Sequence, residues 1–127
     1  MTLTLRPEST VMFIGDSITD SGRREGDQPL GHGYALRIVG EWGLRHPDRT
    51  VTWLNSGIAG NKVGDLDPKI QAVRELARAY GAHLLAADVL FAGLAATTGP
   101  EYWAADGVHP TPAGHAALAG AWLRLVA

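Results

Sequence analysis

Three short stretches carry residues able to perform nucleophilic chemistry. Gly15-Asp16-Ser17-Ile18-Thr19 places a serine directly after the apolar run Val11-Met12-Phe13-Ile14. A tight turn there exposes the hydroxyl at a sheet edge, with the serine's own N–H aimed at the same spot. Asp106-Gly107-Val108-His109-Pro110 offers a base and a carboxylate on one short loop. A serine hydroxyl is a poor nucleophile until a histidine takes its proton, and a carboxylate holds that imidazole in the needed tautomer. The third stretch is Asn55-Ser56-Gly57-Ile58-Ala59-Gly60-Asn61. Its glycines let the backbone approach a substrate and present N–H groups to a developing oxyanion. Each stretch alone also has an ordinary explanation. Asp16 and Ser17 suit a helix cap, Asp106 a turn and His109 a surface position, while glycine-rich turns commonly follow strands. Only their combination amounts to a mechanism.

Such a combination needs a scaffold that brings position 17 to position 109. Val11 to Ile14 reads as a strand buried on both faces, stopped by Gly15. Ala35, Ile38, Val39 and Trp42 recur at helical spacing until His46-Pro47 closes the segment. Val51 to Leu54 reads as a second strand. Asp67-Pro68 opens a helix, with Asp67 as N-cap and Pro68 at the first position. Ile70, Val73, Ala77 and Tyr80 form its apolar stripe, and Gly81 stops it. His83 to Ala87 is a candidate third strand leading to Asp88, followed by a loop from Val89 to Ala105 with no more than one helical turn. Thr111-Pro112 opens a last helix that carries Leu118, Trp122 and Leu125 inward. This alternation predicts an α/β fold with a parallel sheet. In such sheets the chemistry lies beyond the carboxyl ends of the strands, where all three stretches fall.

With 127 residues the chain is expected to form a single domain spanning 1–127. A hydrophobic fraction of 46% argues against disorder, and a net charge of -2 gives no basic surface for nucleic acid or an anionic membrane. The absence of cysteine excludes disulfides and thiolate metal ligands. Arg6, Pro7 and Glu8 interrupt the N-terminal stretch where a signal peptide would need an apolar run, and no span is long enough for a membrane helix. A cytoplasmic protein without membrane partners is the expectation. His32, His46, His83 and His115 do not form a metal-binding spacing, so no metal is expected. Trp42, Trp53 and Trp122 sit in apolar patterns and read as core, which leaves Trp103 as the aromatic placed to touch a substrate. Arg23, Arg24 and Glu25 read as a solvated loop.

Taken in order, Phe13 to Asp20, Leu30-Gly31-His32-Gly33-Tyr34, Asn55 to Leu66 and Val108-His109-Pro110 resemble the GDSL/SGNH hydrolases. The likeness is greatest to the branch of acetylxylan esterases and related carbohydrate deacetylases. That resemblance implies a three-layer, flavodoxin-like α/β fold. It implies Ser17 as nucleophile, His109 as general base and Asp106 as the carboxylate that orients it. The N–H groups of Ser17 and Gly60 become two parts of an oxyanion hole, with Asp16 and Trp103 as candidate substrate contacts. The implied reaction is hydrolysis of a small acyl ester, acetyl above all, on a small molecule or oligosaccharide. It proceeds through an acyl-enzyme without metal or cofactor.

The sequence departs from that pattern in its middle. The Gly-x-Asn-Asp block, whose asparagine gives the oxyanion hole a side-chain donor, is absent. The second block, ending near Leu66, runs straight into Asp67-Pro68-Lys69-Ile70, as if two inner strands were deleted at about residues 65–68. The expected remnant is a small parallel sheet of order 2-1-3 flanked by helices. Loss of one oxyanion donor costs roughly 10²–10³ in turnover, so impaired activity is expected. The alternative is a catalytically inactive remnant that acts through self-association, since an open edge beside Val11 to Ile14 invites pairing into a homo-oligomer.

Overall fold

The computed structural model describes residues 3–57, 66–106 and 109–126, with the backbone alone over 66–70. Two strands, β1 (Thr10–Phe13) and β2 (Thr52–Asn55), run parallel in the register Thr10↔Thr52 to Phe13↔Asn55. Parallel strands cannot be joined by a tight hairpin, and the crossover here is a single turn, α1 (Ser17–Asp20), then a long helix, α2 (Tyr34–Arg45). After β2 come α3 (Leu66–Tyr80), α4 (Ala87–Thr98), a 3-10 turn at Pro100–Tyr102 and α5 (Pro112–Leu125). Leu3 bridges Val126, so the described ends of the chain meet.

The core lies on one side of the sheet. Strand alternation sends Val11 and Phe13 to one face and Thr10 and Met12 to the other. Phe13 packs with Ile38 and Trp42 of α2, Ala119 and Leu123 of α5, and Leu5. Trp53 lies parallel to its ring, with centroids 6.1 Å apart and planes at 7°, and Trp122 adds a tilted contact at 5.9 Å. The tryptophans read as core thus lie in or against it.

The opposite face is open. Met12 is 51% exposed and Ile14 75%, so β1 is covered on one face and not on both, as its apolar run had predicted. A parallel sheet ordinarily carries helices on both sides. Here α2 and α5 form one layer, but α3 and α4 do not close the other. Val73, Leu76 and Tyr80 of α3 are exposed, and no residue of α4 is buried. Arg74 joins the two helices by donating to both carboxylate oxygens of Asp88, at 2.9 and 2.8 Å.

The third strand expected at His83–Ala87 does not form. Residues 82–86 have no regular structure, and α4 starts at Ala87, taking in most of the stretch expected to be loop. Alanine and leucine favour helix, and a segment without β-branched residues gains little from extension when no neighbouring strand is there to pair with it. The sheet among the described residues is therefore β1-β2, not 2-1-3. α3 takes in Asp67 and Pro68 as its second and third residues. At α5, Thr111 and Pro112 behave as expected: the threonine hydroxyl accepts from Gly114 N at 3.1 Å. The residues that α5 buries are Gly114, Ala119, Ala121 and Leu123, while Leu118, Trp122 and Leu125 are half-buried. The architecture remains a small parallel sheet flanked by helices. No helix among the described residues is long and apolar enough to cross a membrane.

Candidate active site

Ser17 is the first residue of α1, directly beyond the carboxyl end of β1. Asp16 caps that turn, its Oδ1 accepting from Ile18 N at 3.0 Å. The carboxylate singled out as a substrate contact is thus already engaged in positioning the serine. A single turn has no stability of its own, because helix nucleation fixes several residues for one hydrogen bond. Its place is set by Asn55, at the end of β2 and 9% exposed. Asn55 Nδ2 donates to Thr19 O and Leu30 O, both at 2.7 Å, and Oδ1 accepts from Gly57 N at 2.9 Å. Gly57 lies so close to the backbone of Asp20 that a Cβ there would collide with its nitrogen.

His109 comes from the loop before α5. That loop is pinned by Thr111, whose N–H donates to Trp103 O at 2.9 Å and whose hydroxyl donates to Tyr102 O at 2.7 Å. Asp106 Oδ1 accepts from His109 N at 2.7 Å, and Oδ2 lies 2.7 Å from His109 Nδ1. One carboxylate therefore holds both the backbone and the ring of the histidine. With Nδ1–H donated to Asp106, Nε2 is left as the acceptor, and it faces Ser17 Oγ at 3.5 Å. That separation is at the outer limit of a hydrogen bond, and nucleophile–base contacts of this kind tighten when substrate is bound.

The structure thus brings Ser17, Asp106 and His109 together. It does so in the open: the His109 and Asp106 side chains are 59% and 56% exposed, so water screens the attraction between them. Gly60 and Asn61 lie outside the described residues. Asn55 has both amide hydrogens on carbonyl acceptors and so has none left to offer a substrate oxyanion. Trp103 serves as a strut: its indole N–H donates to Thr98 Oγ1 at 2.6 Å and its ring meets Tyr102 edge-on at 4.9 Å. Two open grooves, one of about 510 Å³ beside His32, Arg37 and His115 and one of about 490 Å³ beside Arg23 and Trp53, are lined by none of the three reactive residues. Among the described residues no cluster of histidine and carboxylate side chains could hold a metal ion.

Two positions that sequence reasoning passed over also shape the site. His115, one turn into α5, accepts from Tyr34 N at 2.8 Å through Nδ1 and so caps α2 from another helix. Burial holds its pKa below the ordinary histidine value, in keeping with a neutral acceptor. The Tyr34 hydroxyl shares a 2.8 Å hydrogen bond with Thr19 Oγ1, and burial pushes its pKa up. In the sequence Tyr34 stands out only as the last residue of the block from Leu30, and His115 only as a histidine outside any metal spacing.

The fold is similar to that of solved GDSL-like and acetylxylan esterase structures, and part of the sequence is similar to an acetylxylan esterase. An acetylxylan esterase of Geobacillus stearothermophilus is 44% identical over 61 residues, a match spanning 44% of this chain and 28% of that one. The chain thus matches less than a third of that relative's length. A solved structure of an acetyl-xylooligosaccharide esterase from the same organism superposes with a TM-score of 0.86 at 21% identity, over 95% of each chain. A GDSL-like lipase structure from Parabacteroides merdae superposes at 0.83 with 17% identity, over 98% of each chain. Catalytic mutants of the Geobacillus esterase replace a serine, an aspartate and a histidine. There the aspartate and histidine are three positions apart, as Asp106 and His109 are here, whereas the serine and aspartate are about twice as far apart as Ser17 and Asp106. No family model matches the chain.

Proposed function

We propose that this chain is a serine ester hydrolase of the GDSL/SGNH type, acting on small acyl esters, acetyl esters of carbohydrates foremost, with reduced turnover. The observation that carries this reading is the continuous contact from Ser17 Oγ through the His109 ring to the Asp106 carboxylate. Ser17 Oγ attacks the ester carbonyl carbon while His109 Nε2 takes its proton, and Asp106 stabilises the imidazolium. The oxyanion is met by the N–H groups of Ser17 and Gly60. On collapse, His109 returns the proton to the departing alcohol and leaves an acyl group on Ser17. His109 then deprotonates a water that attacks the acyl carbonyl, releasing the acid and restoring the serine.

Turnover is reduced for two reasons. The side-chain donor of the oxyanion hole is missing, and the exposed histidine and aspartate work in a high dielectric, where each charge interaction is weaker. The missing donor belongs to an internal deletion near residues 65–68 of a single domain. The doubled serine–aspartate separation in the Geobacillus esterase supports that reading. The acetylated sugar substrate rests on the names of the relatives. The test is hydrolysis of an aryl acetate by the chain beside Ser17→Ala and His109→Ala. A rate well above both variants supports the reading, and equal rates for all three remove it.

A second reading is favoured by the open sheet face. Met12, Ile14 and Leu54 are exposed on one face of the sheet, and one edge of β1 has no strand beside it among the described residues, so an inactive remnant that pairs with itself is the rival. Size measurement on the same sample separates a monomer from such a pair.

A further inference from the structure

We infer that Tyr34 is a positioning residue for Ser17, acting through Thr19; the inference rests on Ser17 being the nucleophile. The turn that carries Ser17 has four residues, too few to hold its own orientation, so its direction is imposed by what grips it. Thr19, two residues on, is 6% exposed and held at two points. Its carbonyl accepts from Asn55, and its hydroxyl meets Tyr34 OH at 2.8 Å. That hydroxyl also packs over Gly15, where a Cβ would collide with it, so Thr19 fixes the backbone entering the nucleophile turn as well as the turn itself.

The tyrosine is itself fixed from several sides. Its N–H donates to His115 Nδ1 at 2.8 Å, and its ring lies parallel to the His115 ring at 6.2 Å and edge-on to Phe13 at 5.9 Å. His115 is on α5, the helix that begins just after His109. The brace from His115 through Tyr34 to Thr19 therefore references the serine's turn to the helix that follows the loop bearing its base. A merely structural tyrosine would fill the same space without needing the hydroxyl. At Thr19 the loss of that hydroxyl leaves a buried group with little water to replace its partner.

The experiment measures the second-order rate at which a fluorophosphonate labels Ser17, together with kcat and KM on an aryl acetate and the melting temperature. Attack by Ser17 Oγ forms the oxygen–phosphorus bond and releases fluoride, while His109 takes the proton. Tyr34→Phe and Thr19→Val are each expected to slow labelling by roughly three- to tenfold, the worth of one hydrogen bond. KM should stay unchanged, and the variants should still melt well above the assay temperature. The double variant should be no slower than Thr19→Val alone, because both changes remove one interaction. Thr19→Ser keeps the hydroxyl and should recover most of the rate, which tests the bond even if Tyr34→Phe folds poorly. Wild-type labelling in Tyr34→Phe, additive losses in the double variant, or a Thr19→Ser as slow as Thr19→Val would overturn the inference. A wild-type chain that neither labels nor hydrolyses would remove the nucleophile itself, and the inference with it.

Discussion

Ser17 Oγ and His109 Nε2 stand 3.5 Å apart although 92 residues separate them in the chain. They meet because each is carried next to an element packed into the same core. β1 delivers the serine, and α5 begins just after the histidine. Both elements pack through Phe13, Ile38, Trp42 and Leu123 into one cluster. α3 and α4 lie between them in sequence, and none of their described residues belongs to that core.

The carboxylate should matter even though it is exposed. Asp106→Asn keeps an oxygen for the His109 N–H but no longer selects the tautomer with its proton on Nδ1. In buried triads such a change lowers kcat by about 10⁴. Here solvent already competes for the ring, so a loss of roughly 10²-fold is expected, with KM little changed. Steady-state kinetics on an aryl acetate checks it.

Asn55→Ala should destabilise the fold more than a surface change would. It removes two donors and one acceptor at a site 9% exposed, leaving Thr19 O and Gly57 N without those partners. Each buried group left unpaired costs about 1–3 kcal/mol, so a total loss of roughly 2–4 kcal/mol is expected in urea unfolding.

The two faces of β1 should respond differently. Phe13→Ala opens a hole in the only packed core among the described residues and is expected to cost about 3–5 kcal/mol. Met12→Thr, on the open face, should change stability by no more than about 0.5 kcal/mol. Paired denaturation curves decide it. Comparable losses would mean that the open face is covered in solution, as a self-paired remnant requires.

His115 gives stability a pH dependence of known sign. The folded chain holds it neutral, by burial and by its acceptor role toward Tyr34 N. Its pKa is depressed from 6.5, so the unfolded chain binds the proton first and acid favours unfolding. The contribution is complete above that value and is lost as pH falls below it toward the lower folded pKa. Melting temperature should drop between pH 7.5 and 5, and less steeply in His115→Asn.

The sequence was informative where local chemistry dictates structure. Thr111-Pro112 fixes a helix start through a hydroxyl and a locked φ, and the spacing of Ala35, Ile38 and Trp42 names a buried helix face. It misled where the outcome depends on a neighbour. Val11 to Ile14 has the composition of a doubly covered strand, but cover comes from elements far along the chain, and those do not close over Met12. His83 to Ala87 resembled a strand only on the assumption that one lay beside it. At the site, Ser17, Asp106 and His109 announced themselves by residue type and order. The hold of Tyr34 and His115 on the serine's turn could not, because hydrogen bonds between remote helices leave no local pattern.

The pairing of Ser17 with His109 is tested most directly by the intact mass of the chain after exposure to a fluorophosphonate. One phosphonyl adduct per chain is expected, mapped to Ser17, absent in Ser17→Ala and strongly slowed in His109→Ala. An unmodified wild-type chain, or an adduct that forms equally fast without His109, would contradict it.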